Sequence, residues 1–245
     1  MKSTLIVAHR GLSSLYPENT LISFKEAVRL GVDMIELDVH QTKDKKLVVI
    51  HDDILDRTTE GHGRVCELTL SEIKKYSAGK WFSTSFKKER VPTLKEVFEL
   101  IKKRTKLLIE IKQPGIEKKL VNLIQQYDMT DNVICGSFYL KSVAKVKKLN
   151  PSIPVAFITG SLKVEQIKDL LIRNINMIDI EFHNLTLDLL RKCHSYGFVV
   201  NAWNIDEEKD MKKFLEIGVD AICTNYPQRL KMLMRKEFMN DNKKR

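Results

Sequence analysis

The chain of 245 residues has the length of one large α/β domain or two small ones, and its 43% hydrophobic and 30% charged residues are typical of a globular protein. This composition excludes a disordered or fibrous chain. The 42 basic and 32 acidic residues give a formal charge of +10, which favours anionic ligands. Because no arginine-rich helix, zinc-finger spacing or RNP motif accompanies this charge, we expect no nucleic-acid partner.

The first apolar run, Leu5–Ala8, stops at His9 and Arg10, so it is too short for a signal peptide or a membrane span. We therefore expect a cytoplasmic protein without stable membrane insertion, and the sequence leaves its oligomeric state open. The cysteines are widely spaced and form no C-x-x-C pair, which indicates reduced, buried thiols and no structural zinc. They are Cys66, Cys135, Cys193 and Cys223. Lys243, Lys244 and Arg245 are expected to form a solvated tail.

Short apolar runs predict nine strands along the chain. They are Leu5–Ala8, Met34–Val39, Leu47–Ile50, Lys106–Ile111, Asn132–Cys135, Pro154–Ile158, Met177–Ile180, Phe198–Ala202 and Ala221–Cys223. Amphipathic stretches between them predict helices. Examples are Thr20–Leu30, Leu94–Lys103, Ile116–Gln126, Val164–Ile172 and Glu207–Ile217. Thr93 followed by Glu96 predicts a capping box at the second of these helices.

One connection is too short for a crossover helix. Residues 41–46 join two strands, so the second and third runs must form an antiparallel hairpin. Without the return strand, Leu47–Ile50, eight strands alternate with helices, which predicts a single TIM (β/α)8 barrel domain over residues 1–245. A doubly wound open sheet is the structural alternative. Residues 54–90, which lack a clear strand, are predicted to form a short insertion after the hairpin.

Polar residues cluster where the predicted strands end, which is where barrel enzymes carry their catalytic groups. His9 and Arg10 end the first strand, and Glu110 and Lys112 end the strand that follows the insertion. On the second strand, Glu36 and Asp38 lie two residues apart and therefore share one face. A symmetric turn between Asp44 and Lys45 would place His51 directly opposite Asp38.

Three carboxylates at one barrel mouth would repel one another, and a hard divalent cation with oxygen ligands would offset that repulsion. Glu36, Asp38 and Glu110 therefore predict a site for Mg²⁺ or Ca²⁺ rather than Zn²⁺. The alternative is a buried ion network in which these carboxylates only pair with Arg10 and Lys112.

Histidine exchanges a proton near neutral pH, so His9 and His51 beside acidic residues could act as acid and base on a bound phosphate. The other histidines lack such neighbours in sequence and are expected to be structural or surface residues. They are His40, His62, His183 and His194.

The sequence resembles the glycerophosphodiester phosphodiesterase family over nearly its whole length. The motifs that carry the resemblance are His9-Arg10-Gly11, Pro17-Glu18-Asn19-Thr20, Glu36-Leu37-Asp38-Val39, His51-Asp52, Leu55-Asp56-Arg57-Thr58-Thr59-Glu60-Gly61, Pro92-Thr93-Leu94, Glu110-Ile111-Lys112, Ser137-Phe138, Trp203 and Thr224-Asn225-Tyr226-Pro227. Each is weak alone, and their order and spacing are specific.

The resemblance implies a TIM barrel that hydrolyses glycerophosphodiesters to sn-glycerol 3-phosphate and an alcohol. It implies that His9 and His51 are the acid/base pair and that Arg10 and Lys112 hold the phosphate. The metal ligands would be Glu36, Asp38 and Glu110. We assign His9 as base and His51 as acid, and both water and the glycerol hydroxyl of the substrate remain open as the nucleophile.

Aromatic residues leave the alcohol specificity open. Phe138 and Trp203 lie near strand ends, where they could wall the substrate or pack the barrel. Trp81, Phe82 and Phe86 in the insertion could contact an acyl chain, which would favour lysophospholipase D activity, or could pack the insertion. The alternative to an enzyme is a binding protein, in which a catalytically silent barrel binds anions or membranes.

Overall fold

Parallel strands close into a barrel in the computed structural model, which describes residues 4–244, with side chains as far as residue 236. Over this range the strands are β1 (Leu5–Ala8), β2 (Met34–Gln41), β3 (Leu47–Val49), β4 (Lys106–Ile111), β5 (Val133–Ser137), β6 (Val155–Thr159), β7 (Met177–Glu181), β8 (Val199–Trp203) and β9 (Ala221–Thr224). β1 pairs with both β2 and β9, so the eight parallel strands form a closed ring. The prediction of a TIM barrel is confirmed, and the open sheet is excluded.

The strands alternate between a barrel interior and an outer layer that faces the helices. On β2, the side chains of Ile35, Leu37 and Val39 belong to the large outer core. Met34 instead packs in the interior with Val7. Because both faces of a parallel strand are covered, the strands read as nearly continuous apolar runs. Glu36 and Asp38 are therefore exceptions that need a partner inside the barrel.

Helices fill the connections and pack on the outside of the barrel. Over residues 4–244 they are α1 (Leu21–Leu30), α2 (Leu70–Ile73), α3 (Leu94–Ile101), α4 (Glu117–Gln126), α5 (Leu140–Leu149), α6 (Val164–Ile172), α7 (Leu187–Ser195), α8 (Glu208–Ile217) and α9 (Pro227–Lys244). The predicted capping box is present, since Thr93 and Glu96 exchange side-chain and backbone hydrogen bonds. α3 ends at Ile101 rather than Lys103, because Lys102 adopts the left-handed conformation.

The hairpin is displaced by one residue from the symmetric turn. Asp38 lies opposite Ile50, whose backbone nitrogen donates to the Asp38 carbonyl oxygen at 3.0 Å, so the predicted pairing of His51 with Asp38 is wrong. The turn closes between Thr42 and Lys46, and Lys45 has φ +64° within it. A three-residue loop with its last residue in the left-handed region produces this register.

The insertion, residues 54–90, contains α2 and two short 3₁₀ turns, Val65–Glu67 and Thr84–Phe86. It packs on a small core of its own that extends into the hairpin. That core comprises Val48, Ile50, Leu55, Val65, Ile73, Ala78 and Val91. Because Val48 and Ile50 belong to it, the insertion is fastened to the strand that leads directly to His51.

The cysteines and two further histidines lie in different parts of the fold, and Cys223 is among the residues at the barrel mouth. The cysteines are free, and three of them are buried as expected, but Cys66 is exposed, so the expectation of a buried thiol is wrong for Cys66. His62 pairs with the exposed Asp56, and His194 pairs with the largely buried Asp220. No helix in residues 4–244 combines the length and hydrophobicity that a bilayer span requires. Arg245 and the side chains of Lys243 and Lys244, expected in a solvated tail, lie outside the described residues.

Candidate active site

The three carboxylates predicted as metal ligands meet at the barrel mouth. β2 supplies Glu36 and Asp38, and Glu110 lies on β4 beside Asp38 in the parallel register. One oxygen of each carboxylate lies within 4.8 Å of the others, and all three side chains are largely buried. Adjacent strands that end at the same edge thus converge three acidic groups on one point.

The pKa values of the three carboxyl groups show that their ionised forms are unfavourable when they are buried together. Burial raises the pKa of Glu36 well above its ordinary range, and the charges of Asp38 and Glu110 add to the effect. Burial, followed by the charge of Asp38, raises the pKa of Glu110 to about 7. Burial also opposes ionisation of Asp38, but Arg10 and Lys112 outweigh it and hold its pKa below the ordinary value. The three groups resist being ionised together without further positive charge.

A divalent cation fits this site by two observations. The donors are all carboxylate oxygens, which are the ligands that Mg²⁺ and Ca²⁺ prefer. In addition, the buried Asp38 Oδ1 accepts no hydrogen bond from any described residue. A buried acceptor without a donor is costly, and a bound cation would remove that cost.

Two basic side chains border the carboxylates. Arg10 Nε lies 3.2 Å from Asp38 Oδ2, and its Nη1 donates to Glu18 Oε1 at 2.8 Å. Lys112 Nζ lies 2.9 Å from Glu110 Oε1 and 3.6 Å from Asp38 Oδ1. Both cations therefore lie at the mouth beside the acidic cluster, where they can contact an anion.

The turn that presents Arg10 requires a glycine. Arg10 has φ +55° and Gly11 has φ +88°, so the chain reverses sharply after β1. A Cβ at Gly11 would collide with the side chain and backbone of Ser23 on α1. The Arg10 backbone nitrogen also donates to Glu36 Oε2 at 3.1 Å, which ties this turn to the acidic cluster. The His9-Arg10-Gly11 motif thus has a backbone reason as well as a chemical one.

His9 lies buried beside Glu36, with its Nε2 3.9 Å from Glu36 Oε2. Its Nδ1 is 2.8 Å from Asn225 Oδ1. Burial, followed by the positive charge of Arg10, lowers the pKa of His9 to about 4. His9 is therefore neutral near pH 7, in the form that can accept a proton.

His51 contacts a carboxylate on one side and a cation on the other. Its Nδ1 lies 2.6 Å from Asp52 Oδ1, and its Nε2 lies 3.0 Å from Lys112 Nζ. Burial is the main cause that lowers the pKa of His51, while Asp38 and Asp52 oppose the shift. Although the hairpin register differs from the prediction, His51 still reaches the acidic cluster through Lys112.

Aromatic rings line one wall of the same cavity. The Phe138 and Trp203 rings are 5.8 Å apart at 79°, and Lys112 Nζ is 6.0 Å from the Phe138 ring centre. The cavity holds about 120 Å³ and is lined by both rings together with His9, Glu36 and Lys112. A cavity of this size can hold a small polar ligand but cannot enclose a long acyl chain.

Several site residues were given no role by sequence reasoning. Asn19, whose Nδ2 donates to Asp38 Oδ2 at 2.8 Å, and Asn225 at His9 both lie within quoted motifs. Asn204 lies 3.5 Å from His9 and follows Trp203 directly. Asp179 on β7 lines the cavity, and burial raises its pKa well above the ordinary range. An acidic residue within an apolar strand is the signal that could have identified Asp179.

The barrel is closed and parallel, and acidic, histidine and basic side chains meet where its strands end. This arrangement is that of a hydrolase-type active site. The sequence profile of the Glycerophosphoryl diester phosphodiesterase family matches residues 9–229, and the chain belongs to that family. The prediction of a phosphodiesterase is thereby confirmed.

Individual relatives cover almost the full chain. A glycerophosphodiester phosphodiesterase of Caldanaerobacter subterraneus subsp. tengcongensis is 43% identical over 95% of this chain and 98% of its own. A lysophospholipase D of Homo sapiens is 30% identical over 92% of this chain and 84% of its own. The structure of an Oleispira antarctica phosphodiesterase in complex with the product sn-glycerol-3-phosphate has a TM-score of 0.89 at 27% identity, and covers 95% of this chain and 97% of that one.

Proposed function

We propose that the protein hydrolyses glycerophosphodiesters to sn-glycerol 3-phosphate and an alcohol. The observation that carries this proposal is the convergence of Glu36, Asp38 and Glu110 on one point, with a histidine at each end of the cluster. His9 approaches from the Glu36 side, and His51 approaches through Lys112 from the Glu110 side. The product complex of the Oleispira antarctica relative supports the choice of substrate class.

Glu36, Asp38 and Glu110 would hold Mg²⁺ or Ca²⁺, which supplies positive charge to a phosphoryl oxygen when bound. Arg10 and Lys112 bind the remaining phosphate oxygens and stabilise the charge that develops on them. Phe138 and Trp203 contact the carbon atoms of the glycerol or the alcohol. All of these side chains except the buried Asp38 line the same cavity.

The histidines move the protons. His9, which is neutral and buried, takes the proton of the attacking hydroxyl as a new oxygen–phosphorus bond forms. His51 gives a proton to the alcohol oxygen as the old oxygen–phosphorus bond breaks. The phosphate anion raises the pKa of His51 when it binds, and Asp52 stabilises the imidazolium through Nδ1. The attacking hydroxyl belongs either to water or to the glycerol of the substrate through a cyclic phosphate, and ³¹P NMR detection of the cyclic species distinguishes these routes.

A substrate panel with and without a chelator tests this function. Glycerophosphocholine, glycerophosphoethanolamine and glycerophosphoglycerol should each release sn-glycerol 3-phosphate in Mg²⁺ or Ca²⁺, and EDTA should abolish release. The matched variants are Glu36→Gln at the site and Glu165→Gln at an exposed position of helix α6. Turnover that persists in EDTA contradicts the metal requirement. The absence of turnover on every diester contradicts the proposed activity and favours a silent anion-binding barrel.

Lysophospholipase D activity is a second candidate, supported by exposed aromatic rings in the insertion. Trp81 and Phe82 are 42% and 36% exposed, and they continue through Phe86 to Tyr16 in a row of edge-to-face contacts. Such a surface can contact an acyl chain outside the small cavity. Faster release of choline from lysophosphatidylcholine than from glycerophosphocholine, with the difference lost in Trp81→Ala, would favour this candidate.

A further inference from the structure

The loop after β8 and the turn after β9 meet next to His9. Asp206, in the β8–α8 loop, accepts three hydrogen bonds from the β9–α9 turn. Its Oδ1 accepts from Thr224 Oγ1 and from the Asn225 backbone nitrogen, each at 2.9 Å. Its Oδ2 accepts from Asn225 Nδ2 at 2.7 Å. A carboxylate only accepts hydrogen bonds, so the amide of Asn225 is held in one orientation.

That orientation determines what Asn225 offers to the active site. With Nδ2 directed to Asp206, the amide oxygen faces His9 Nδ1 at 2.8 Å and Ser13 Oγ at 2.9 Å. An amide oxygen only accepts, so His9 Nδ1 must carry the hydrogen. Neutral His9 then has a free electron pair on Nε2, which faces the Asn204 amide nitrogen at 3.5 Å.

We propose that Asp206 is a positioning residue that fixes the tautomer of His9 through Asn225, so that the unprotonated Nε2 faces the reacting hydroxyl. Asp206 does not touch the substrate cavity itself, whose lining includes His9 and Asn204. The opposite tautomer would carry hydrogen on Nε2 and could not accept a proton there. This inference rests on the proposed role of His9 as base.

One substitution at Asp206 tests these hydrogen bonds, because it should exchange the donor and the acceptor in the bond between His9 and Asn225. In Asp206→Asn, the oxygen of the new amide can still accept from Thr224 and from the Asn225 backbone, while its NH₂ group faces the NH₂ of Asn225. Two donors repel, so the Asn225 amide should rotate and direct its own NH₂ to His9 Nδ1. His9 should then change to the Nε2–H tautomer.

The double variant Asp206→Asn/Asn225→Asp should restore the original tautomer. The carboxylate introduced at position 225 accepts from His9 Nδ1 with one oxygen and from the amide introduced at position 206 with the other. The total charge of the pair is unchanged from the wild type. The control is Glu207→Gln, which removes one negative charge from the neighbouring exposed residue, whose side chain makes no helix-capping hydrogen bond.

The measurement is a long-range ¹H–¹⁵N correlation spectrum of the histidine rings in the full chain with Mg²⁺, with His9 assigned by its absence from His9→Gln. We expect the Nδ1–H pattern in the wild type, Glu207→Gln and the double variant, and the Nε2–H pattern in Asp206→Asn. Turnover should fall at least about tenfold in Asp206→Asn and recover in the double variant.

The tautomer of His9 tests the positioning role of Asp206, whereas the turnover tests the role of His9 as the base. An unchanged His9 tautomer in a folded Asp206→Asn variant overturns the positioning role of Asp206. If Asp206→Asn does not fold, an Nε2–H tautomer in the wild type, or a double variant that does not keep Nδ1–H, overturns it equally. An inverted tautomer with unchanged turnover supports the positioning role and refutes His9 as the base.

Discussion

Arg57 and Arg10 donate to the same oxygen of Glu18, each at a distance of 2.8 Å. Arg57 lies in the insertion and also donates through Nε to Asp52 Oδ2 at 2.7 Å. The other oxygen of Asp52 forms a hydrogen bond with the ring Nδ1 of His51. The guanidinium of Arg57 therefore links Glu18, which orients Arg10, to Asp52, which orients His51.

Removal of this guanidinium should loosen both halves of the site. Arg57→Ala should lower kcat/KM by about 10- to 100-fold, because small displacements of catalytic groups are costly. Arg64→Ala is the control, since Arg64 lies in the same insertion and pairs with the exposed Asp53 rather than with Glu18 or Asp52. Steady-state kinetics on glycerophosphocholine, with thermal melts of both variants, provide the check. Equal kinetics in the two variants would contradict the coupling.

The carboxylate cluster predicts metal binding that exposed acids do not share. Glu36→Ala, Asp38→Ala and Glu110→Ala should each weaken Mg²⁺ or Ca²⁺ binding in calorimetric titrations. Each should also lower turnover by about 100-fold or more, because the lost ligand removes several kcal/mol of charge stabilisation. Glu165→Ala should do neither. If the carboxylates serve only as ion-pair partners of Arg10 and Lys112, all four variants will bind the cation as the wild type does.

The convergence of these carboxylates could be predicted from the sequence, because strand alternation and the shared edge of a parallel barrel follow from periodicity alone. Glu36 and Asp38 share a face, and Glu110 ends the neighbouring strand. The hairpin register could not be predicted, because it depends on Lys45 adopting a left-handed conformation that the residue type does not demand.

Contacts between loops were equally inaccessible. Arg57 meets Glu18 across 39 positions of sequence, and Asp206 meets Asn225 across 19. Neither pair has a periodicity, a fixed spacing or a hydrophobic pattern that could indicate contact. The residue types around His9 and His51 were visible in the quoted motifs, but the partner of each ring nitrogen depended on how loops pack over the barrel mouth.

Away from the site, Glu117 predicts a pH-dependent contribution to stability. This buried carboxylate accepts from Lys145 Nζ and Ser142 Oγ, each at 2.7 Å. Burial opposes its ionisation, but these donors and the Gly115 backbone outweigh that effect and lower the pKa of Glu117 to about 2. Because the folded pKa lies below the unfolded value of about 4.3, the stabilisation is complete above pH 5 and declines as the pH falls towards 2.

Urea unfolding of the wild type and Glu117→Gln should show this linkage. At pH 7 we expect the variant to be less stable by on the order of 2 kcal/mol, and the difference should shrink as the pH is lowered from 5 to 3. Glu165→Gln, at an exposed position, should differ little from the wild type at either pH. A difference between the wild type and Glu117→Gln that is constant with pH would show that lost packing, rather than lost charge, causes the destabilisation.

Removal of either active-site histidine should slow turnover without weakening metal binding. His9→Ala and His51→Ala should each lower kcat by about 10²- to 10⁴-fold, the range typical of general acid/base groups, while Mg²⁺ affinity changes little. His62→Ala is the control, because His62 is exposed and pairs with Asp56 away from the cavity. A loss of Mg²⁺ binding in either active-site variant would identify a metal ligand instead of a proton-transfer group.

An activated substrate assigns the two roles. A glycerophosphodiester with a nitrophenol leaving group hardly needs a general acid, because nitrophenolate departs without a proton. His51→Ala should therefore recover most of its activity on this substrate, whereas His9→Ala should stay impaired because the attacking hydroxyl still requires a base. Rescue of His9→Ala alone would reverse the assignment. Equal rescue of both variants, or of neither, would refute separate acid and base roles, since a histidine that only binds phosphate affects both substrates alike.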